Sequence, residues 1–363
     1  MIDRSLLKNI DWTLIALLFM NSALGVVIIY SSSHYLPGNI YLKQIIWIIL
    51  SLVALFLFMI VDYAKLLAYS MYFYVIFLFI LAGILLFGST VSGAKSWIKL
   101  PFLQVQPSEL MKIIVILLLT YVFSKFKKKY FTWKEAFLGG SLIAFPIILV
   151  ALQPDLGTAL IYIPLILAAL ILAGINRKRF VYLLIFSLIF SIVGWNFCLK
   201  DYQKKRLITL VSPAQDPLGA GYHILQSKIA FGSGGPLGKG YKKGTQSKLR
   251  FLPARHTDFI FSVIGEEFGY LGVVVILFSY FLFLSRLFHS VDKSRDRAGM
   301  YIIFLVAMMI AFQFFINVMM VVGLFPVTGV PLPLLSYGGS SLLANYLGVS
   351  LVLNVKMRRF VNV

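Results

Sequence analysis

The sequence predicts an all-α polytopic membrane protein, with about ten transmembrane helices in a single domain over 1–363 and one long extracytoplasmic loop between the seventh and the eighth. Composition is the first observation behind this. Hydrophobic residues make up 60% of the chain and charged residues 13%, with a mean hydropathy of +0.91, whereas a soluble globule carries about 25% charged residues. Run length is the second. Apolar stretches able to cross about 30 Å of hydrocarbon at about 1.5 Å per residue lie near 12–30, 43–61, 67–87, 110–124, 136–152, 156–174, 180–198, 259–284, 300–323 and 339–355. The third is where the cations fall. Lys and Arg outnumber Asp and Glu 33 to 13, a net charge of +20, yet they sit mostly in loops between apolar runs. That pattern reads as topology and anionic-lipid contact rather than nucleic-acid binding.

The first run, from Trp12 to Tyr30, follows Arg4 and Lys8. It is long for a signal-peptide core and has no small-x-small cleavage site, so it stays as the first span. The fourth and fifth runs are short, and a tight turn at Gln153-Pro154-Asp155-Leu156-Gly157 leads into the sixth, where Asp155 can cap the helix or serve the site. Cys198, the only cysteine, permits no intramolecular disulfide and is read as a packing residue. Sidedness follows from the positive-inside rule. With both termini cytoplasmic, the inner segments hold eighteen Lys and Arg residues and the short outer loops only Lys43, Lys95 and Lys99. The loop over 199–258 carries eleven more, but loops of this length cross largely regardless of charge.

This topology puts Glu109, Asp155, Asp258, Glu266 and Glu267 at helix ends on the outer side, while Asp62, Glu135, Asp292 and Asp296 lie among inner cations. Chemistry is therefore expected outside. The long loop exceeds the roughly 15 residues beyond which connectors tend to be functional or disordered. It begins with a basic amphipathic piece, 200–208, suited to lying on headgroups. Residues 222–231 have the make-up of two helical turns offering Gln226 and Lys228 to a polar ligand. The run 232–240, with Lys239 and the cations that follow, is either an anion cradle for a lipid phosphate or pyrophosphate or a solvated flexible turn. It is not a Walker A loop, since Ser233 and Gly240 stand where Gly and Ser or Thr are required.

The stretch over 252–269 (LPARHTDFIFSVIGEEFG) organises the rest. Arg255, His256, Asp258, Glu266 and Glu267 crowd a membrane boundary there, and a charge at the bilayer centre costs about 2.5–3.5 kcal/mol. Asp258 is taken as the centre of the site. His256 either orients its neighbour or bonds a backbone carbonyl, while His34, His223 and His289 are scattered without ligand spacing, which argues against zinc. Glu266 and Glu267 have a plain role as caps at a helix break. Asp258 and Glu266 do not make a glycosidase pair, because eight residues of continuous helix span about 12 Å, beyond the roughly 5–9.5 Å such pairs need. Upstream, Ser108 suits an N-cap and Glu109 a first turn. Lys112, however, carries charge into the span and requires a partner, either Glu109 or a ligand phosphate. The uncharged segment 326–341 breaks its backbone with three prolines and three glycines. Irregular backbone at membrane depth is tolerated only when buried in protein or lining a cavity, so this segment is expected to wall the site.

Gln106-Pro-Ser-Glu109, Gln153-Pro-Asp155-Leu-Gly-Thr158, Asp216-Pro-Leu-Gly-Ala-Gly-Tyr222, Arg255-His-Thr-Asp258-Phe-Ile-Phe, Gly265-Glu-Glu-Phe-Gly269 and Ser336-Tyr-Gly-Gly-Ser340 resemble, in order, the motifs of the SEDS family (shape, elongation, division and sporulation). The short N-terminus and lean length are more similar to its elongation member than to its division member. The resemblance implies a ten-helix peptidoglycan glycosyltransferase that polymerises lipid II on the outer face of the bacterial cytoplasmic membrane. It further implies a class B penicillin-binding protein and other membrane proteins of the elongation complex as partners, and Asp258 as catalytic aspartate. The residues suit that chemistry. A positioned carboxylate that takes the proton of an attacking sugar hydroxyl contributes about 10²–10⁴-fold. The departing polyprenyl diphosphate needs cations more than an acid. Arg255, Lys112, Lys239, or a divalent ion such as Mg or Mn held by Asp258, Glu109 or Asp155, are the candidates, with Asp155, His256 and Ser340 also placed at the substrate. A lipid-linked precursor flippase would show inverted repeats and a midplane site, and no repeat is found. A non-catalytic scaffold has no need of an Asp at this boundary.

Overall fold

The computed structural model describes residues 9–34, 38–91, 93–99, 104–126, 130–194, 196, 201–213, 216, 219–249 and 251–359. Arg4, Lys8, Lys127, Lys128, Lys129, Cys198, Lys200 and Arg250 lie outside the described residues. Long apolar runs leave peptide groups with no water to meet in hydrocarbon, and a helix closes those groups within the segment itself. The helices are α1 (Trp12–Ser33), α2 (Ile40–Ile60), α3 (Tyr63–Ala68), α4 (Ser70–Phe87), α5 (Pro107–Phe123), α6 (Trp133–Leu152), α7 (Leu156–Leu172), α8 (Arg177–Val193), α9 (Asp201–Val211), α10 (Ala220–Ser233), α11 (Thr245–Lys248), α12 (Ile260–His289), α13 (Arg297–Val321) and α14 (Gly339–Met357). The apolar run 67–87 begins in α3 and continues in α4, and the end of the run 180–198 lies outside the described residues. Six, namely α1, α2, α4, α6, α12 and α13, are long and apolar enough to cross a membrane. Phe79, Phe87 and Phe137 are 75–88% exposed on the outside of the bundle. Apolar surface of that extent belongs in contact with lipid or protein. The interior is filled by α13 and α14, which bury side chains around most of their circumference.

The purely helical expectation needs one correction. Three short strands, β1 (Ser89–Val91), β2 (Ala94–Lys99) and β3 (Gln104–Val105), form an antiparallel sheet in that order. The alternation around Trp97 is too short and too polar for a helix. Lys95 turns it back onto the bundle, donating from Nζ to the carbonyls of Leu85 and Leu86 at 2.9 Å. Those are carbonyls the end of α4 leaves open.

A second correction concerns the glycine-rich run. α12 breaks at Gly269 (φ 63, ψ −160), as the glycines of 265–269 suggested, and the break frees peptide groups. The loop over 235–240 closes them. Lys239 N and Gly240 N donate to Glu266 O and Glu267 O at 3.0 and 2.9 Å, while Tyr270 N and Leu271 N donate to Gly235 O and Pro236 O at 2.9 and 3.1 Å. Two of the N–H groups that an anion cradle would aim at its ligand, those of Lys239 and Gly240, are taken up by α12, and that of Gly238 by Gly234 O, so this part of the run is a strap. Glu266 and Glu267 are not caps either. Glu266 Oε1 accepts from Lys239 Nζ (2.8 Å), Thr245 Oγ1 (3.1 Å) and Gln246 N (2.9 Å). Glu267 Oε1 accepts from Ser31 Oγ of α1 at 2.7 Å.

At the opposite end of the bundle Asp11 caps α1, accepting from Leu14 N at 3.2 Å. Its carboxylate also takes Arg286 of α12 through Nε and Nη2 (2.9 and 3.1 Å) and Lys356 of α14. Three helix ends meet on one acid.

A Cβ at Gly269 would stand 2.3 Å from Gly238 N and 2.6 Å from Gly235 O, at a left-handed φ. Gly269→Ala is expected to cost about 1–3 kcal/mol, read as a lowered midpoint of thermal unfolding in detergent. An unchanged midpoint would show that the strap tolerates another backbone path.

Candidate active site

The main chain ahead of α12 is wound into a tight turn. Ala254 adopts a left-handed φ of 47. Its carbonyl accepts from Thr257 N (3.1 Å), Phe259 N (3.2 Å) and Thr257 Oγ1 (3.1 Å). This turn sets Asp258 two residues before the first residue of the helix, with Phe259 as its N-cap. The segment after α13 faces it as the sequence suggested. Tyr337 N donates to His256 O at 2.9 Å, and Ser336 Oγ donates to Thr257 O at 2.5 Å while accepting from Leu332 N at 2.9 Å. From α13, buried Asn317 donates through Nδ2 to both Asp258 O and Val330 O at 2.8 Å. Two irregular loops are thereby fixed to one another around Asp258. Exposed Gly329 leaves room beside the carboxyl, since a Cβ there would come within 3.7 Å of Asp258 Oδ2.

Burial pushes the Asp258 carboxyl up to about 6; the Thr257 hydroxyl and the charge of Arg206 oppose that rise, and Asp155 adds to it. A base poised there is ionised at neutral pH and still basic enough to take a proton. Asp155 is the N-cap of α7. It accepts from Thr158 N (3.2 Å) and Thr158 Oγ1 (2.9 Å), and Gln106 Nε2 completes the set. Burial, opposed by these Thr158 bonds, raises its pKa, and Glu109 adds to the rise. Glu109 and Lys112 pair one turn apart on α5 at 2.6 Å, with side chains 4% and 0% exposed. Lys112 therefore has the partner its position demanded. Ser108 is not the N-cap: Gln106 takes that position and Pro107 the first helical one. Proline lacks the N–H that is orphaned there anyway, and this moves Ser108 inside the helix.

The remaining predicted residues are held at several places. Arg255 is buried and donates from Nε to Ser32 O of α1 at 2.7 Å. Burial, with the neighbouring Arg255 charge, pushes His256 down to about 4, so its ring is neutral at physiological pH. Ser340 Oγ accepts from Gln106 N at 2.9 Å and donates to Gln104 O at 3.4 Å, joining the starts of α14 and α5. Lys239 belongs to the strap, with Glu266. Asp155 thus bonds Gln106 and lies within electrostatic reach of Asp258 on one side and of Glu109 and Lys112 on the other, while Lys239 belongs to the break in α12. Sequence reasoning missed Asn317 and Arg206. Asn317 carried a readable signal, a buried amide in an apolar helix, since such groups require partners. Arg206 carried none, because nothing in its basic run points to a residue 52 positions later.

The carboxylates considered for a divalent ion do not form a ligand set. Asp155 is occupied by Thr158 and Gln106 and Glu109 by Lys112, and among the described residues no group of three or more His, Cys, Asp or Glu gathers.

Fold and site together define a class: a helical membrane protein whose bundle holds a buried carboxylate, Asp258, between two irregular loops. The chain belongs to the FtsW, RodA and SpoVE family of cell cycle proteins, whose model matches residues 11–360. It is 39% identical over 288 residues to the peptidoglycan glycosyltransferase MrdB of Escherichia coli K12, covering 79% of this chain and 78% of that one. It is 31% identical to the peptidoglycan glycosyltransferase RodA of Treponema pallidum, over 97% of this chain and 98% of the other. Among solved structures it resembles a chain of a peptidoglycan synthase complex that coordinates polymerization and crosslinking (34% identity, 97% and 99% coverage, TM-score 0.83). It also resembles the rod shape determining protein RodA of Thermus thermophilus (29%, 97% and 98%, TM-score 0.72).

Removing one partner of a buried pair leaves an uncompensated charge, at about 3–5 kcal/mol. Lys112→Met and Glu109→Gln should each lower the unfolding midpoint, and the double substitution should recover most of the loss. Additive losses would mean the two side chains are not a unit.

Proposed function

We propose that the chain is a peptidoglycan glycosyltransferase that polymerises lipid II at the outer face of the bacterial cytoplasmic membrane, with Asp258 as general base. The observation that carries the reading is the placement of Asp258: held through its backbone by Asn317, beside exposed Gly329, with a carboxyl raised to about 6. A hydroxyl of one lipid-linked saccharide attacks the anomeric carbon of another. Its proton passes to Asp258, and the bond to the polyprenyl diphosphate breaks with its electron pair on the leaving oxygen. Asp155 and Gln106, with the neutral Glu109–Lys112 pair behind them, shape the substrate side, and Arg255 and His256 hold the turn that carries the base. Ten spans with both termini cytoplasmic fit the positive-inside count and put Asp258 outside. A transpeptidase partner of the penicillin-binding class fits the similarity to a chain of a synthase complex.

The test is incubation of the purified protein and its partner with lipid II, followed by separation of the glycan strands. Asp258→Asn should abolish polymer while leaving the protein folded; wild-type strand yield from that variant would refute the assignment. In the wild type the rate should fall as pH drops through about 6, because the base is then protonated. The stability effect has the opposite sense. Native protein binds this proton more tightly than the unfolded chain, so ionisation above about 6 costs stability. Asp258→Asn should therefore unfold at or above the wild-type midpoint at pH 7.

A further inference from the structure

The cations assigned to the leaving diphosphate are engaged elsewhere. Lys112 is fully buried against Glu109, Arg255 is buried and donates to Ser32 O, and Lys239 pairs with Glu266. Arg206, which the sequence placed among headgroup-binding cations, is differently situated. From half-buried Arg206 on α9, Nη1 donates to Val327 O at 3.0 Å. Val327 lies two residues from Gly329, the glycine that leaves space beside Asp258 Oδ2. On the other side α10 brings the His223 ring to 6.3 Å from that of Phe259, the residue after Asp258. The charge of Arg206 is felt at both His223 and Asp258. Of its five N–H donors, one has a partner among the described residues.

The chemistry of the ligand points to the same residue. A diphosphate whose polyprenyl tail stays in the bilayer must sit at headgroup level. α9 exposes Leu207, Ile208 and Val211, as a helix lying in the interface does, and so presents Arg206 at that depth. A guanidinium fork suits a phosphate better than an ammonium point charge. We propose that Arg206 binds the diphosphate of the lipid-linked donor, stabilising the negative charge that collects on it as the glycosidic carbon–oxygen bond breaks. This assignment rests on the glycosyl-transfer reading above. It gives the base and the leaving-group cation to different loops: the carboxylate precedes α12, and the guanidinium rides on α9 and is steadied by the wall segment. The charged and titratable groups there are Arg206 from α9, Asp258, Asp155 from the start of α7, and His223 of α10 with Asp216; the charges of Asp216 and Arg206 both act on the His223 ring.

The experiment compares the wild type, Arg206→Lys, Arg206→Gln and Arg206→Ala with the partner present. It measures lipid II polymerisation and its inhibition by inorganic pyrophosphate, with the unfolding midpoint as a control. Loss of one such charge stabiliser is worth about 10²–10³-fold in rate. Arg206→Ala is expected to lose that much, to be inhibited more weakly by pyrophosphate, and to show an acid limb displaced to higher pH, because a cation that favoured ionised Asp258 is gone. Arg206→Lys should recover part of both rate and inhibition. Arg206→Gln, which keeps a donor for Val327 O, should not. Full recovery by Arg206→Gln, or unchanged pyrophosphate inhibition in a slow Arg206→Ala, would overturn the proposal in favour of a structural tie. Asp258→Asn separates the two ideas. An active Asp258→Asn sinks the base assignment, whereas pyrophosphate binding that depends on Arg206 in that background supports the diphosphate site independently.

Discussion

The structure depends on one constraint: peptide groups freed by irregular backbone inside a membrane bundle must find partners in protein. The Ser336 hydroxyl shows how economically this is met. It takes the amide of Leu332 within its own segment and gives its proton to the carbonyl of Thr257 in the facing turn. Asn317 does the same from α13, joining Asp258 O to Val330 O. Neither contact touches the carboxylate, yet together they set where it stands. The strap over 235–240 repeats the solution at Gly269, where loop backbone closes a broken helix. Polar side chains in these places secure geometry more than affinity.

The same economy sorts the carboxylates. Glu109 is made harmless by an ammonium 2.6 Å away, and Glu266 by Lys239, Thr245 and Gln246. Asp258 is denied such partners, with only Thr257 and a more distant Arg206 favouring its ionised form against burial. Neighbouring acids in unequal surroundings can therefore carry unequal roles, one a neutralised structural element and the other a titrating base. His256, kept neutral by burial and Arg255, adds no competing charge beside it.

Much of this was legible in the residues. Apolar run length pointed to the long apolar helices, six of which could cross a membrane, because hydrocarbon leaves the backbone so few alternatives, though it missed the division of α3 from α4; uncharged prolines and glycines marked 326–341 as irregular. The break within 265–269 was announced by its glycines. What escaped were pairings set by tertiary contact. The small sheet around Trp97 was invisible because two- to six-residue strands carry little periodic signal. The glycine run beside Lys239 looked like a phosphate cradle because composition alone cannot say which groups its amides will meet; here those of Lys239 and Gly240 meet carbonyls of α12. Arg206 lay hidden among like charges whose common surface role was correct for the helix and incomplete for that one side chain.

The meeting of Asp11, Arg286 and Lys356 bears on how the chain is made. Asp11 precedes both of its cations in the chain and is synthesised before either of them. Until α14 has been made, α1 holds an acid whose full set of partners does not yet exist. The bundle's closing step therefore waits on α14, which adds the last cation to an acid that α1 and α12 already share.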